Sequence, residues 1–279
     1  MAVPERAPVQ VKVRIGEVAT AAYAAVFGRL GLALELGWLP LLIMLAVELV
    51  PGVVESFSPA PADATAPPFT VEDLVEILAT LLCLSAFAVR WYQALLFSSG
   101  RARPRHLFAA AWARFIGYTA LFSLPTTGPA AALVIFGALS AADDATRMLV
   151  GAAAALNIAA ALGVLRLSLV WPAAAYGAPM GWREAWRQMR GNTWRLAAVA
   201  LLVYVPVFVT VGFALSVILT AAHFDIEQLP SRPPLGLVLL GGVVYTVLQF
   251  LLMALGAAIL AEFYRRLVLH APADRSRDQ

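Results

Sequence analysis

Residues Trp182–Phe224, WREAWRQMRGNTWRLAAVALLVYVPVFVTVGFALSVILTAAHF, change character in their middle. From Leu196 onward the stretch holds no Asp, Glu, Lys or Arg. A charge at the centre of a membrane helix costs ~2.5–3.5 kcal/mol on insertion scales, and the run exceeds the ~20 residues needed to cross a bilayer. It therefore reads as a transmembrane helix. The part before it reads differently. Trp182, Ala185, Trp186 and Met189 recur at i, i+3, i+4 and i+7, with Arg183, Arg187 and Arg190 on the opposite face, the pattern of an amphipathic helix lying in the headgroup layer. Gly191 and Asn192 offer a break between the two, where the chain turns from the interface into the bilayer.

The rest of the chain repeats this theme. Of its 279 residues, 61% are hydrophobic and 13% charged, about half the ~25% charge of a soluble domain, and the mean hydropathy is +0.80. A water-soluble protein is thereby excluded. Phe115–Ala142 and Pro233–Ala261 are further uncharged runs, and Met148–Leu165 extends past Arg166 to Val170. Leu30–Val50 carries Glu35 and Glu48, and Leu74–Phe97 carries Glu76 and Arg90, so these two need support from elsewhere. The loops supply it. Taken in order, eighteen of the 20 basic residues fall in alternate segments and two in the others, which predicts six crossings with the N- and C-termini in the cytoplasm. Residues 1–29 hold four basic residues and no compact apolar core, so the first crossing is expected to act as a signal anchor. Pro51–Thr70 is expected to be an extended outer loop.

Each odd-numbered crossing follows an amphipathic stretch with a small-then-aromatic pair. The copies read Ala19, Ala22, Tyr23, Val26; then Phe108, Ala111, Trp112, Phe115; then Trp182, Ala185, Trp186, Met189. The fold expected is all-α: a polytopic membrane protein of six transmembrane helices in three quasi-repeated hairpins, each preceded by a cytoplasmic interfacial helix. The whole chain, residues 1–279, is one integral membrane domain, with repeat units at about 16–98, 106–172 and 182–268 and a cytoplasmic tail at 269–279.

Catalytic signatures are absent. There is no HExxH, Walker A loop or GxSxG, and His106, His223 and His270 are isolated at membrane edges. The one cysteine, Cys83, lies in an apolar run, which removes disulfide and thiolate-metal frameworks. Asp143 and Asp144 read as a cap and turn, and no metal or cofactor is expected. Although the pI is near 9.3, the basic residues flank apolar spans, so nucleic acid is not the partner indicated. A single lysine, Lys12, beside abundant arginine and alanine fits a GC-rich bacterial genome.

Four features of the crossings remain. Glu35 lies about 8 Å along its helix, too deep for the headgroups, and needs a partner; Arg90 and Arg166 enter from the same side and form with it a candidate intramembrane ion pair. That pair either fixes the bundle or serves proton or substrate movement. Asn157 and Gln249 are placed to hydrogen-bond between helices, and Gly151, Ala155, Ala159 and Gly163 form a small-residue stripe that would admit another helix. Pro40, Pro125, Pro129 and Pro206 would bend or interrupt the odd crossings.

The segment Met180–Leu202, MGWREAWRQMRGNTWRLAAVALL, resembles the membrane-domain family named after bacterial glycerophosphoryl diester phosphodiesterase. In that family an Ala-Trp pair, a Gly-Asn step and a Trp-Arg-Leu run precede a crossing, and Ile15–Pro40 is similar in layout. The resemblance implies an uncharacterised integral membrane protein, with the phosphodiesterase chemistry in a separate soluble domain, and carries no catalytic residue over. The function expected is non-enzymatic: a bacterial inner-membrane protein organising lipid or a membrane complex through its arginine-rich interfacial helices. Arg183, Arg187, Arg190, Trp182 and Trp186 are the candidate headgroup contacts, with membrane lipids and a membrane-protein partner as its company. The alternative is a transporter or flippase for a small amphiphile.

Overall fold

In lipid every backbone amide must find its partner inside the protein, and a chain this apolar meets that demand by coiling into helices. The structure, a computed structural model, describes residues 12–57, 71–97, 108–123, 144–221 and 234–269. These are helical throughout apart from turns: α1 (Ile15–Phe27), α2 (Leu30–Phe57), α3 (Val71–Leu96), α4 (108–123), α5 (Asp144–Leu167), α6 (Val170–Tyr176), α7 (Trp182–Gln188), α8 (Thr193–Ala221) and α9 (Leu235–Tyr264), ending in a π-helical turn, Arg265–Leu269. Five stretches are long and apolar enough to cross a membrane: Leu30–Pro51, Asp73–Leu96, Gly151–Tyr176, Thr193–Thr220 and Leu235–Leu269. The chain is thus a multi-pass membrane protein. Of the crossing expected at Phe115–Ala142, only residues 115–123 are described, as part of α4.

The outward faces confirm the solvent. Along α8, Leu201, Val205, Phe208, Val209 and Phe213 are all exposed, a stripe of bulky apolar side chains that water would not tolerate on a monomer's surface. The packed core occupies the end of the bundle that carries α1, α4, α6 and α7. It draws on Val18, Ala22 and Val26 of α1, Phe87 and Trp91 of α3, Val170 and Ala173 of α6, Val199 and Val203 of α8, and Leu255, Ile259 and Phe263 of α9.

Close approach of α2 to its neighbours depends on glycine. Where α2 crosses α9, a side chain at Gly37 would run into the Phe250 ring and lie 3.1 Å from Phe87, while one at Gly242 would meet Leu49. The freed space lets Phe87 and Phe250 sit with ring centroids 4.1 Å apart. Pro40, Pro51 and Pro206 lie inside helices that continue through them, so of the two outcomes expected for Pro40 and Pro206, a bend or a break, the break does not occur. One residue on from Leu202, whose carbonyl Pro206 leaves without its amide partner, Tyr23 Oη donates to the Val203 carbonyl at 2.8 Å and ties α1 to this turn of α8. Pro125 and Pro129 lie outside the described residues. The C-terminal end of α2 also continues as helix through Pro51 to Phe57, where a loop was expected.

The crossing expected at Met148–Val170 ends less simply than its sequence suggests. The chain turns at Ser168 and Leu169, resumes as α6, and stops at Gly177, whose φ of 84° is left-handed and whose amide bonds Ala174 O at 3.2 Å. The break predicted at Gly191–Asn192 is present: Gly191 has φ 80° and α8 starts two residues on. Asn192 is buried, and its Oδ1 accepts the Val13 amide at 3.2 Å, tying this turn to the start of α1.

Candidate functional site

The three amphipathic stretches do not lie free in a membrane plane; each turns its small-residue face inward. Ala19, Ala22 and Val26 are buried on α1, Ala111 and Phe115 on α4, and Ala185 and Met189 beside α7. The aromatic next to the central alanine then reaches a long helix. Tyr23 bonds Val203 of α8, Trp112 Nε1 donates to Ser85 Oγ of α3 at 2.9 Å, and Trp186 lies against Arg166 of α5.

These contacts determine what becomes of the predicted ion pair. Among the described residues no ion pair joins Glu35 to Arg90 or Arg166. Glu35 is exposed in the first two turns of α2. The helix buries Ala33, Gly37 and Met44, and at about 100° per residue Glu35 points roughly 160° away from the first two of these. Arg90 instead places its guanidinium 5.1 Å from the centre of the Phe108 ring, and Arg166 stacks 4.2 Å from that of Trp186. Both are cation–π contacts, made where the C-terminal part of α3 or α5 meets the next amphipathic helix.

The ion pairs that do form were not anticipated. Arg266 bridges Glu17 of α1 at 2.7 Å and Glu262 at 2.8 Å, Arg14 holds the other oxygen of Glu17 at 3.0 Å, and Arg265 pairs with Glu262 while donating to the Leu95 carbonyl at 2.9 Å. The hydrogen bond from Arg266, then that from Arg14, holds the Glu17 carboxyl below the ordinary glutamate range. Glu17 and Arg266 are 249 positions apart, and their shared place at the arginine-rich boundary was the only signal that could have paired them.

The candidate headgroup residues lie together at one edge. Arg183, Arg187 and Arg190 are exposed; Trp182 and Trp186 are 49% and 44% exposed, and Trp194, at the start of α8, 73%. Behind them is a cavity of about 400 Å³ between α5, α7 and α8, floored by Ala159, Leu162 and Gly163 and walled by Arg166, Trp186 and Trp194. The small-residue stripe of α5 therefore does not receive a described helix: Gly151, Ala155 and Ala159 are exposed, and its inner end borders this cavity.

Deeper in the bundle, a mainly apolar cavity of about 520 Å³ opens between α3, α4, α6, α8 and α9, touching Tyr92, Phe115, Thr119, Tyr204 and Gln249. A smaller one of about 300 Å³ shares Phe115, Thr119 and Gln249 with it and continues to Glu76 and Tyr245. Glu35 borders neither. Gln249 was expected to bond between helices, yet its Oε1 is buried without a hydrogen-bond partner among the described residues. His106, His223, His270 and Asp143 lie outside the described residues, as does the side chain of Asp144. No family model, no curated protein and no solved structure matches this chain, so the family resemblance rests on the residues of its own Met180–Leu202 segment.

Proposed function

We propose that the chain is a non-enzymatic bacterial inner-membrane protein that gathers anionic phospholipid at its cytoplasmic boundary, and thereby organises lipid or a membrane complex. The observation that carries this is the α7 edge. Three unpaired-facing arginines and three half- to mostly exposed tryptophans within thirteen residues form a cationic, indole-rich rim beside exposed apolar helix, the composition that recognises a phospholipid headgroup layer. The six-crossing layout with cytoplasmic termini belongs to the same proposal, supported by the distribution of arginine along the sequence. The threefold repeat is supported by a recurring seam: Arg90 on Phe108, Arg166 on Trp186, and Arg266 on Glu17 each link the inner end of an even crossing to the next amphipathic helix around a ring. Membership in the phosphodiesterase membrane-domain family is part of this reading as well.

The test is flotation of purified protein with vesicles, or lipid copurification, with Arg183, Arg187 and Arg190 changed together to Gln. The expected outcome is a marked loss of preference for phosphatidylglycerol over phosphatidylcholine, and an unchanged preference overturns the proposal.

A second reading, transport or flipping of a small amphiphile, is favoured by one observation: the 520 Å³ cavity with the orphaned Gln249 carbonyl inside the bundle. Gly256→Leu would reduce that cavity, which Gly256 lines, by pushing aside the Tyr204 hydroxyl that its Cβ would meet, and would abolish uptake or lipid scrambling by reconstituted vesicles if the cavity is a path. Vesicles with wild-type protein that show neither activity refute this second reading.

A further inference from the structure

We infer that the cavity between α5, α7 and α8 is a binding site for one anionic phospholipid of the inner leaflet, with its phosphate on Arg166 and an acyl chain along α5. This rests on the lipid-gathering reading above and gives it a specific seat. The argument begins with the arginine. Its guanidinium carbon lies 4.2 Å from the centre of the Trp186 ring, a cation–π contact that does not by itself satisfy the N–H donors. Among the described residues no carboxylate pairs with it, and its Nε is shielded from solvent with no hydrogen-bond acceptor. A buried donor without an acceptor is a standing cost, and a small tilt of the guanidinium toward a bound phosphate removes it.

The walls suit the rest of the molecule. Thr193 and Trp194 line the cavity and begin α8, whose first backbone bond is donated by Leu196 to Asn192 O at 2.9 Å, so their amides have no intrahelical acceptor. That helix end adds partial positive charge where Arg187 and Arg190 already stand exposed. Below Arg166, Ala159, Leu162 and Gly163 give a shallow apolar floor on a helix whose outer face is open. A free phosphate would satisfy the upper half of this site and leave the floor bare. A phospholipid satisfies both, and about 400 Å³ holds a phosphate with the first part of one chain.

The site predicts separable behaviour in native mass spectrometry of the full chain released from micelles containing equal phosphatidylglycerol and phosphatidylcholine. Wild-type protein is expected to retain one phosphatidylglycerol per chain. Arg166→Gln should lower that retained fraction by about tenfold, the loss expected when a charge-assisted bidentate contact is removed. Because Arg166→Gln also releases Trp186, a second variant leaves the charge in place: Gly163→Leu, at a position where an added Cβ meets nothing within 4 Å, fills the floor and should give the same loss. Adding inorganic phosphate should not displace the lipid. Retention of phosphatidylglycerol by both variants, or its complete displacement by inorganic phosphate, overturns the inference. The broader reading fails separately: loss of the retained lipid in Arg166→Gln alongside unchanged vesicle preference in the Arg183, Arg187, Arg190 triple variant supports the seat and removes the rim, and the reverse result does the opposite.

Discussion

Gly37→Ala tests how tightly α2 is pressed onto α9. In an open helix this change helps, because alanine is better than glycine by about 0.8–1.0 kcal/mol per residue. Here the new Cβ would overlap two carbons of the Phe250 ring and come within 3.1 Å of Phe87. Neither ring has somewhere to go. Phe87 is fully buried, Phe250 is 8% exposed, and their centroids are already 4.1 Å apart. Overpacking of a filled core costs roughly 1–3 kcal/mol, and with both rings locked the upper half of that range applies, leaving a net loss of about 1–2 kcal/mol after the propensity gain. The assay is reversible unfolding in mixed micelles with rising dodecyl sulfate, followed by tryptophan fluorescence. Gly212→Ala is the control, since a Cβ there meets nothing within 4 Å, and it should be neutral or slightly stabilising. Phe250→Leu opens space for the new methyl, so the double variant should be more stable than the two single losses added together, by at least about 0.5 kcal/mol of coupling. If Gly37→Ala unfolds like Gly212→Ala, or the double variant is strictly additive, the close crossing of α2 and α9 is wrong.

Three other outcomes follow from the interior contacts and the boundary charges. Tyr23→Phe deletes the bond to the Val203 carbonyl and should cost about 0.6–1.7 kcal/mol by the same unfolding assay, the range of interhelical hydrogen bonds in bilayers; no change would mean that this bond does not help hold α1 on α8. Because Glu17 is held below the ordinary glutamate range in the folded protein, its contribution to stability is full above that range and disappears as pH falls through the lowered value; Glu17→Gln should therefore flatten the acid side of the stability profile and leave the neutral-to-alkaline shape alone. Arg187→Cys should react with a membrane-impermeant maleimide in inverted vesicles and stay unlabelled in intact spheroplasts, against a quiet background because Cys83 is buried; labelling from the outer face would invert the topology.

How much of this could be read from sequence depended on whether the question was one of period or of direction. The apolar stripes of the amphipathic stretches were legible in part: i, i+3, i+4 periodicity picked out Ala19, Ala22, Ala111, Phe115, Ala185 and Met189, which are buried, whereas Trp182 and Trp186 of the same stripe are exposed. The Gly191–Asn192 break was legible because only a residue at ease with positive φ serves there. Glu35 was misread for a physical reason: its depth along the helix was counted, but its azimuth was not, and depth alone does not say which face of α2 meets α3 and α9. The same gap hid the network of Glu17, Glu262, Arg265 and Arg266, whose members come from opposite ends of the chain. Arg166 was expected to serve as a partner for Glu35, yet an indole beyond the next turn holds it instead, in a contact that leaves its guanidinium without a carboxylate.

That last difference separates the three seams and argues for where lipid would sit. Under the three-unit reading, each seam places an arginine from the end of one even crossing against the following amphipathic helix, but the arginines end in different electrostatic states. Arg266 is neutralised by Glu17 and Glu262, so it closes the ring between α9 and α1 and has little field left for a phosphate. Arg90 stands 5.1 Å above Phe108, an apolar ring with no donor of its own. Arg166 alone combines a closer indole, a shielded and unmatched Nε, and an adjoining cavity with an apolar floor. A repeat that were symmetric in function as well as layout would retain equal lipid at all three seams. The charges instead make the α9–α1 seam a structural clasp and the α5–α7 seam a receptor, so charge reversal at Glu17 should loosen the bundle without touching bound lipid, while loss of Arg166 should release lipid and leave the bundle closed.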